Sequence, residues 1–318
     1  MPQNGKIVGI DVSKRQVEGC LRSPLERLSA ANTPQGRQQL IAWLRQREVT
    51  LAVMEASGGY ERDWAEALGA AGIAVKIVDP KRVRYFAKSA GRLAKNDPID
   101  AAMIAWFAET FAAEAAPADD PERALIDRLT TARALLVRLE SQVGQLVEHR
   151  QPALVARAQQ AIARTIGVQR RRLEAAITAK IEAHAPFARR REIIESVPGL
   201  GPRFAAGAIA WLPELGQIGN KPAAALVGIA PYDDDSGARH GERHIKGGRR
   251  EIRDLLYMAT LAATRCNPPI KAHYRQLRAR GKSFKVALVA CMRKLIVILN
   301  TMLRQDHKWN PAAAPVLA

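Results

Sequence analysis

Lys6-Ile-Val-Gly-Ile-Asp-Val-Ser-Lys14 is a short apolar run interrupted by one carboxylate. Its β-branched residues and its length predict a strand, and Val17–Arg22 can pair with it as a hairpin. Leu51-Ala-Val-Met-Glu55, ending in Ser57-Gly58-Gly59, is a second buried-type strand, and Ala74–Val78, followed by Asp79-Pro80, a third. Helical stretches separate and follow them. Thr33–Gln46 puts Leu40, Ile41 and Leu44 on one face with Thr33 placed to cap it; Glu61–Ala71 follows, and a last helix runs from about Pro98 to Phe111. Strands alternating with helices predict a mixed sheet covered by helices over residues 1–111, an α/β domain.

Residues 112–190 change character. Ala112–Pro121 is rich in Ala, Asp and Pro and reads as a linker. Beyond it Leu125, Leu129, Ala132, Leu136, Leu139, Val143 and Leu146 repeat at alternating spacings of four and three, the pattern of a coiled-coil seam. Gln151-Pro152 interrupts it, and a second helix from about Leu154 to Ala183 either folds back antiparallel or pairs with another subunit. Residues 191–308 are mostly helical, with a loop at Ala230–Gly248 and strongly periodic stretches at Arg250–Cys266 and Lys282–Leu303; a Pro/Ala-rich tail occupies 309–318.

The 318 residues hold 49 Lys and Arg against 31 Asp and Glu, a formal net charge of +18. Residues 191–318 hold 20 basic and 10 acidic residues, more than half of that excess. A charge so placed points to a polyanionic partner, nucleic acid or an anionic membrane face. Aromatic residues are only 5%, too few for base stacking to dominate. Cys20, Cys266 and Cys291 are far apart and fit neither a disulfide framework nor a zinc site. Met1 to Lys6 is polar, without a signal-peptide core, and no apolar run is long enough to span a bilayer. The expectation is a cytoplasmic, nucleoid-associated protein with no membrane partner.

Four acidic residues sit where chemistry is done. Asp11 lies inside an apolar strand, where a carboxylate is costly unless something uses it. Glu55 ends the second strand. Asp97 and Asp100 lie three apart at a helix start and share one face. Such an oxygen-only set suits Mg²⁺ or Mn²⁺, and Lys14 and Lys95 nearby suit a phosphate. Asn96-Asp97-Pro98 is equally a helix-start signal with Asp97 as its cap.

Further on, Val197-Pro-Gly-Leu-Gly-Pro202 ahead of small apolar residues is similar to a helix-hairpin-helix, in which Gly199 and Gly201 allow close approach of a phosphate; a plain helix turn has the same composition. Gly228-Ile-Ala-Pro231 leads to Ser236-Gly237, around which Arg239, Arg243, Lys246, Arg249, Arg250 and Arg253 fall within fifteen residues. Cations so placed can hold a phosphate beside a serine, although Ser-Gly alone is most often a turn. His240 and His244 either assist proton transfer or merely contact solvent or phosphate.

Taken together, Ile-Asp-Val-Ser-Lys, Met-Glu-Ala-Ser-Gly and Lys-Asn-Asp-Pro-Ile-Asp-Ala resemble the DEDD domain of insertion-sequence family 110 transposases, which include the Piv-type DNA invertases. Gly228-Ile-Ala-Pro231, Ser236-Gly237 and Ile245-Lys246-Gly247-Gly248 resemble that family's serine domain; where the family has Ile-Ser-Lys, this chain lacks the serine. The resemblance implies a RuvC-like, ribonuclease H-type N-terminal domain with Asp11, Glu55, Asp97 and Asp100 as a metal-binding catalytic tetrad. It implies Ser236 as the nucleophile that joins DNA through a phosphoserine. It also implies donor and target DNA, a noncoding bridge RNA, and a homo-oligomer, dimer or tetramer, as partners. A RuvC-type junction nuclease using the tetrad with water, and a non-catalytic nucleic-acid-binding protein, are the competing readings.

Overall fold

The computed structural model describes residues 6–91, 97–111, 120–147, 151–232 and 244–310, with the side chains of 97–99 and 147 outside the description. The chain divides into two compact units, Met1–Asp119 and Asp120–Ala318.

In the first unit, β1 (Lys6–Val12), β2 (Gln16–Arg22) and β3 (Leu25–Ala31) form an antiparallel meander, and β4 (Val49–Glu55) and β5 (Ala74–Val78) run parallel to β1. The sheet order is β3-β2-β1-β4-β5. Side-chain alternation gives it two buried faces. Val8, Ile10, Val12, Ala52 and Met54 pack against Leu40 and Leu44 of α1 (Pro34–Gln46) and Trp64 and Leu68 of α2 (Tyr60–Ala70). Leu51 and Val53 pack on the opposite side against Val83 of α3 (Pro80–Ser89) and Met103, Ile104 and Phe107 of α4 (Asp97–Thr110). The mixed α/β unit matches the expectation from the strand and helix periodicities, and Thr33 caps α1, accepting from the Gly36 N–H at 3.2 Å.

Two elements went unread in the sequence. β3 is an edge strand whose side chains are mostly exposed, so it carries little apolar pattern. α3 is a short basic helix announced only by Asp79-Pro80; the Asp79 carboxylate accepts from the Lys81 N–H at 2.9 Å. Phe86 of α3 meets Trp106, Phe107 and Phe111 edge-on at 5.0, 5.8 and 5.7 Å between ring centroids. Arg22 of β2 lies over the Trp106 ring and pairs with Glu109. These contacts seat α4 on the sheet.

Gly9 decides how closely α4 sits. A Cβ there would overlap the Ala101 carbonyl oxygen and the Ala105 nitrogen of α4. A second local device follows β4. The buried Glu61 carboxylate accepts from the Ser57 N–H (2.9 Å), the Ser57 hydroxyl (2.7 Å) and the Gly59 N–H (2.9 Å), closing the loop after Glu55. Burial pushes its carboxyl up, and these donors more than reverse that, leaving it below its ordinary value of 4.5.

In the second unit, α5 (Pro121–Val147) and α6 (Ala153–Ala183) form an antiparallel hairpin, and α7 (Ala185–Glu195), α8 (Pro202–Trp211), α9 (Asn220–Val227), α10 (Arg250–Cys266), α11 (Pro268–Ala279) and α12 (Phe284–Arg304) enclose the largest core. The second long helix thus folds back within the chain. Ile126 of α5 packs on Ile177 and Ile181 of α6, Arg133 donates twice to Glu174 at 3.0 Å, and Arg170 pairs with Glu140 at 2.9 Å. Leu139 and Leu146 of the heptad set remain exposed, as does Leu135. Among the described residues α12 is the one helix long and apolar enough to cross a membrane, but Leu288, Cys291, Leu295 and Leu299 on it are fully buried in the protein core. Asn300 on the same helix is buried with its polar atoms satisfied: it accepts from the Gly216 N–H at 2.7 Å and donates to the Ile218 carbonyl at 2.9 Å.

Three consequences are measurable by urea unfolding of the first unit. Gly9→Ala should cost the first unit about 3 kcal/mol by forcing α4 off β1. Gly69→Ala, at an α2 position with nothing within 4 Å of the added methyl, should stabilise that unit by about 0.5–1 kcal/mol. At pH 7, Glu61→Gln should cost about 1.5–3 kcal/mol by weakening charge-assisted hydrogen bonds. Because the folded carboxyl is held below 4.5, its stabilisation is complete above that pH and is lost as the pH falls through the lower folded value, so the gap between wild type and Gln variant should close in acid. A gap independent of pH would contradict this role.

Candidate active site and nucleic-acid interface

Strand register brings the first two acidic residues together. β1 and β4 are parallel neighbours with Ile10 opposite Met54, so Asp11 and Glu55 follow side by side at the carboxyl ends of the two strands. Both alternate with residues packed on the α4 side, Gly9 and Ile7 on β1 and Val53 and Leu51 on β4, and so share that face. Ligands of open α/β sheets bind at strand carboxyl ends of this kind. α4 begins at Asp97, and Asp100 precedes Ala101, whose carbonyl touches β1 at Gly9, two residues before Asp11. Asp11, Glu55 and Asp100 are partly buried, and each takes part in polar or electrostatic interactions.

The register also supplies a carboxylate that sequence reasoning missed. Glu18 of β2 lies directly opposite Asp11, on the same face. Its signal was present in the hairpin Asp11-Val-Ser-Lys-Arg-Gln-Val-Glu18, once the turn is placed: the Ser13 N–H and the Gln16 carbonyl close it at 2.9 Å. Like charges directly across a strand pair destabilise it unless a cation is near. Lys14 lies exposed in that turn. Among the described residues no three His, Cys, Asp or Glu converge closely enough to hold a metal ion. The Asp97 side chain and Lys95 lie outside the described residues. The donors are nonetheless all carboxylate oxygens at strand and helix ends, the type that hard divalent cations take.

In the second unit, β6 (Pro231–Tyr232) pairs antiparallel with β7 (His244–Ile245), setting Tyr232 opposite His244. Ser236, Arg239, His240 and Arg243 fall between these strands and lie outside the described residues. What holds the two strand bases is plain. A Cβ on Gly228 would overlap the Gly247 carbonyl, and one on Gly248 would overlap the Gly228 backbone, so the two motifs Gly228–Pro231 and Ile245–Gly248 lie backbone against backbone. The Arg253 guanidinium donates to the Gly247 carbonyl at 2.6 Å and the Gly228 carbonyl at 3.3 Å. Arg249 makes a forked pair with Glu214, at 2.7 and 2.6 Å, and donates to the Trp211 carbonyl at 2.7 Å. Burial raises the Glu214 carboxyl, and the Arg249 fork more than compensates, holding it below the usual range. Arg249 and Arg253 therefore build the scaffold around the serine segment, whereas Lys246 and Arg250 are exposed.

The glycines of the helix turn divide likewise. Gly199, at φ +98°, packs on α10: an added Cβ would sit 2.7 Å from the Ala263 Cα. Gly201 caps α8, and nothing lies within 4 Å of its missing side chain, so the α8 N-terminus is open there.

Residues 8–150 match the DEDD-type transposase profile of the IS110 group, and residues 191–275 match the transposase profile of the IS116/IS110/IS902 family. A 43.6 kDa protein of insertion element IS110 from Streptomyces coelicolor is 36% identical over 141 residues, covering 43% of this chain and 33% of that protein. The pilin gene-inverting protein of Moraxella bovis is 24% identical over 318 residues, 95% of this chain and 97% of that protein. A 42 kDa protein of insertion element IS900 from Mycobacterium paratuberculosis is 32% identical over 44% of this chain and 36% of its own length. The chain thus spans about a third of the insertion-element proteins it matches and nearly all of the inverting protein. With both profiles present in the order that the acidic and serine motifs occupy, this chain belongs to the IS110 family of transposases.

Proposed function

We propose that this chain is a DNA recombinase of an insertion element that cuts and rejoins strands through a serine-linked intermediate. The observation that carries the reading is the placement of Asp11 and Glu55 side by side at strand carboxyl ends, on the face where Gly9 admits the Asp100 end of α4. The serine motif begins and ends on a braced pair of backbone segments in the second unit, which supports assigning the nucleophile to Ser236.

In this reading the N-terminal unit is a ribonuclease H-type domain, and Asp11, Glu55, Asp97 and Asp100 hold Mg²⁺ or Mn²⁺. A bound divalent ion supplies neutralisation of the charge that builds on the phosphate oxygens and on the leaving oxygen. The Ser236 Oγ attacks a DNA phosphorus. As the Oγ–P bond forms, the bond from phosphorus to the leaving deoxyribose oxygen breaks, and the proton lost from the serine is taken by a carboxylate while the leaving oxygen takes up another. A hydroxyl of the partner strand then displaces the serine, which regains its proton, so no high-energy cofactor is consumed. Lys246, Arg250, Arg239 and Arg243 bind the phosphates flanking the serine. Lys14 and Lys95 bind those near the tetrad, and Gly201 opens the α8 N-terminus to a phosphate. Strand selection by base pairing to a noncoding bridge RNA, in a homo-oligomer, fits surfaces that contact mainly backbone.

Covalent trapping tests this. Full-length protein, Mg²⁺, labelled junction DNA and RNA transcribed from beside the gene are incubated and resolved on a denaturing gel. Wild type should give a protein–DNA adduct that Ser236→Ala abolishes and that Asp11→Asn lowers by at least about a hundredfold, the scale of losing one element of the charge-stabilising machinery. Cleavage without adduct, unchanged in Ser236→Ala, would replace the serine mechanism with a junction nuclease that uses water. Binding without cleavage by wild type under these conditions would favour a non-catalytic binding protein.

A further inference from the structure

The basic residues of the chain are not confined to the serine loop. Between Asp254 and Asp306 the sequence holds ten Lys or Arg and no Asp or Glu. This acid-free stretch covers most of α10 and all of α11 and α12. Where α10, α11 and α12 meet, they enclose a cleft of about 410 Å³, within the range of small-ligand sites. Arg265, Lys271 and Arg275 line it together with the rings of Tyr274 and Phe284, and its lining contains no carboxylate.

The two rings meet edge to face, 6.4 Å between centroids and at 81°. Phe284 is 43% exposed at the first turn of α12 and leaves a face open to the cleft mouth. Phe284 begins the α12 face that Leu288, Cys291 and Leu295 bury further along, but at the first turn it stands outside that core among three cations, an exposed ring in a protein with 5% aromatic residues. The local potential is felt by a neighbour: burial first, then the charges of Lys294 and Arg280, hold His273 below its usual range.

Cations around an open aromatic face match one chemistry closely. An unpaired nucleotide presents a flat base for stacking and a phosphate on either side for the cations. A duplex presents phosphates but keeps its bases stacked, and an acidic peptide has no need of the ring. Resting on the reading of this chain as a nucleic-acid enzyme, we propose that the α10–α11–α12 cleft is a subsite for one unpaired nucleotide, its base stacked on Phe284 beside Tyr274 and its flanking phosphates held by Arg265, Lys271 and Arg275. The site lies outside both the acidic set and the serine loop. It would hold a strand separated from its duplex, or an unpaired position of an RNA, with the same groups.

The test is a binding measurement on full-length protein that requires no catalysis. Oligonucleotides of about twelve residues, single-stranded DNA, single-stranded RNA and duplex DNA, each carry one 2-aminopurine, whose fluorescence is quenched by stacking. Phe284→Ala should weaken binding of the unpaired strands by roughly tenfold and abolish the quench, while changing duplex binding by less than about twofold. Phe284→Trp should restore both. Arg275→Ala should lower the slope of log affinity against log salt by about one. Lys221→Ala, an exposed cation on α9, is the control for a general loss of charge. Preference for the DNA or the RNA strand identifies the source, and equal binding assigns the subsite to both. Unchanged binding in Phe284→Ala, equal loss for duplex and unpaired strands, or an acidic peptide that binds as tightly as the oligonucleotides would each overturn the subsite. A protein that forms the Ser236 adduct yet fails here loses only this inference; one that stacks a base but forms no adduct keeps it and loses the recombinase reading.

Discussion

At Gly9 the backbone of α4 rests directly on the backbone of β1, and the acidic face of the N-terminal unit depends on that contact. A helix normally stands off a sheet by the thickness of two side-chain layers. Here one glycine removes a layer at the point where α4 passes over β1, and the helix start comes down beside Asp11. The aromatic group of Phe86, Trp106, Phe107 and Phe111 anchors the far end of α4, so the helix is held at two points and the Asp100 end is set by geometry rather than by contact with a ligand. Glu61 does related work on the neighbouring strand: by taking three donors it fixes the turn that follows Glu55. Two carboxylates side by side, with Glu18 across from one of them, form a costly arrangement. The surrounding structure maintains it, as the cation site proposed for these residues requires.

The second unit applies the same economy to a different end. Gly228 and Gly248 let two loop segments touch without side chains between them, and Arg253 stitches their carbonyls. A guanidinium spent in this way is not available to DNA. Of the six cations clustered after Ser236, Arg249 and Arg253 are committed to internal bonds, so a count of charge in sequence overstates the binding surface at that loop. It understates it elsewhere: the acid-free stretch from α10 to α12 carries exposed cations with no motif to announce them.

The difference follows from what each feature imprints on a sequence. Buried strands such as β1 and β4 write continuous apolar runs, and their terminal carboxylates stand out against that background, so Asp11 and Glu55 were legible. Glu18 was not, because its partner across the hairpin is set by the Ser13–Gln16 turn and not by spacing alone. β3 was missed because an edge strand buries almost nothing, and α3 because it is basic on most of its surface. The heptad positions of α5 were visible, but the side that meets α6 also uses Thr130, Arg133 and Glu140, polar residues that an apolar repeat does not register. Gly199 looked like a phosphate-approach residue and Gly201 like its twin; only the packing of α10 separates a glycine that fits under a helix from one that faces open space.

The balance of charge carries the argument furthest. A chain of net charge +18 attracts a polyanion over its surface, but carboxylates gathered on one sheet face repel the same polyanion locally. A purely binding protein gains nothing from Asp11, Glu18 and Glu55 in a row, since substituting them would raise affinity and relieve strand repulsion together. An enzyme gains the ability to bring a divalent ion against a phosphate that its own cations have already drawn in. In the proposed reading the acid-free helices supply attraction without chemistry, and the acidic sheet face supplies chemistry at the expense of attraction.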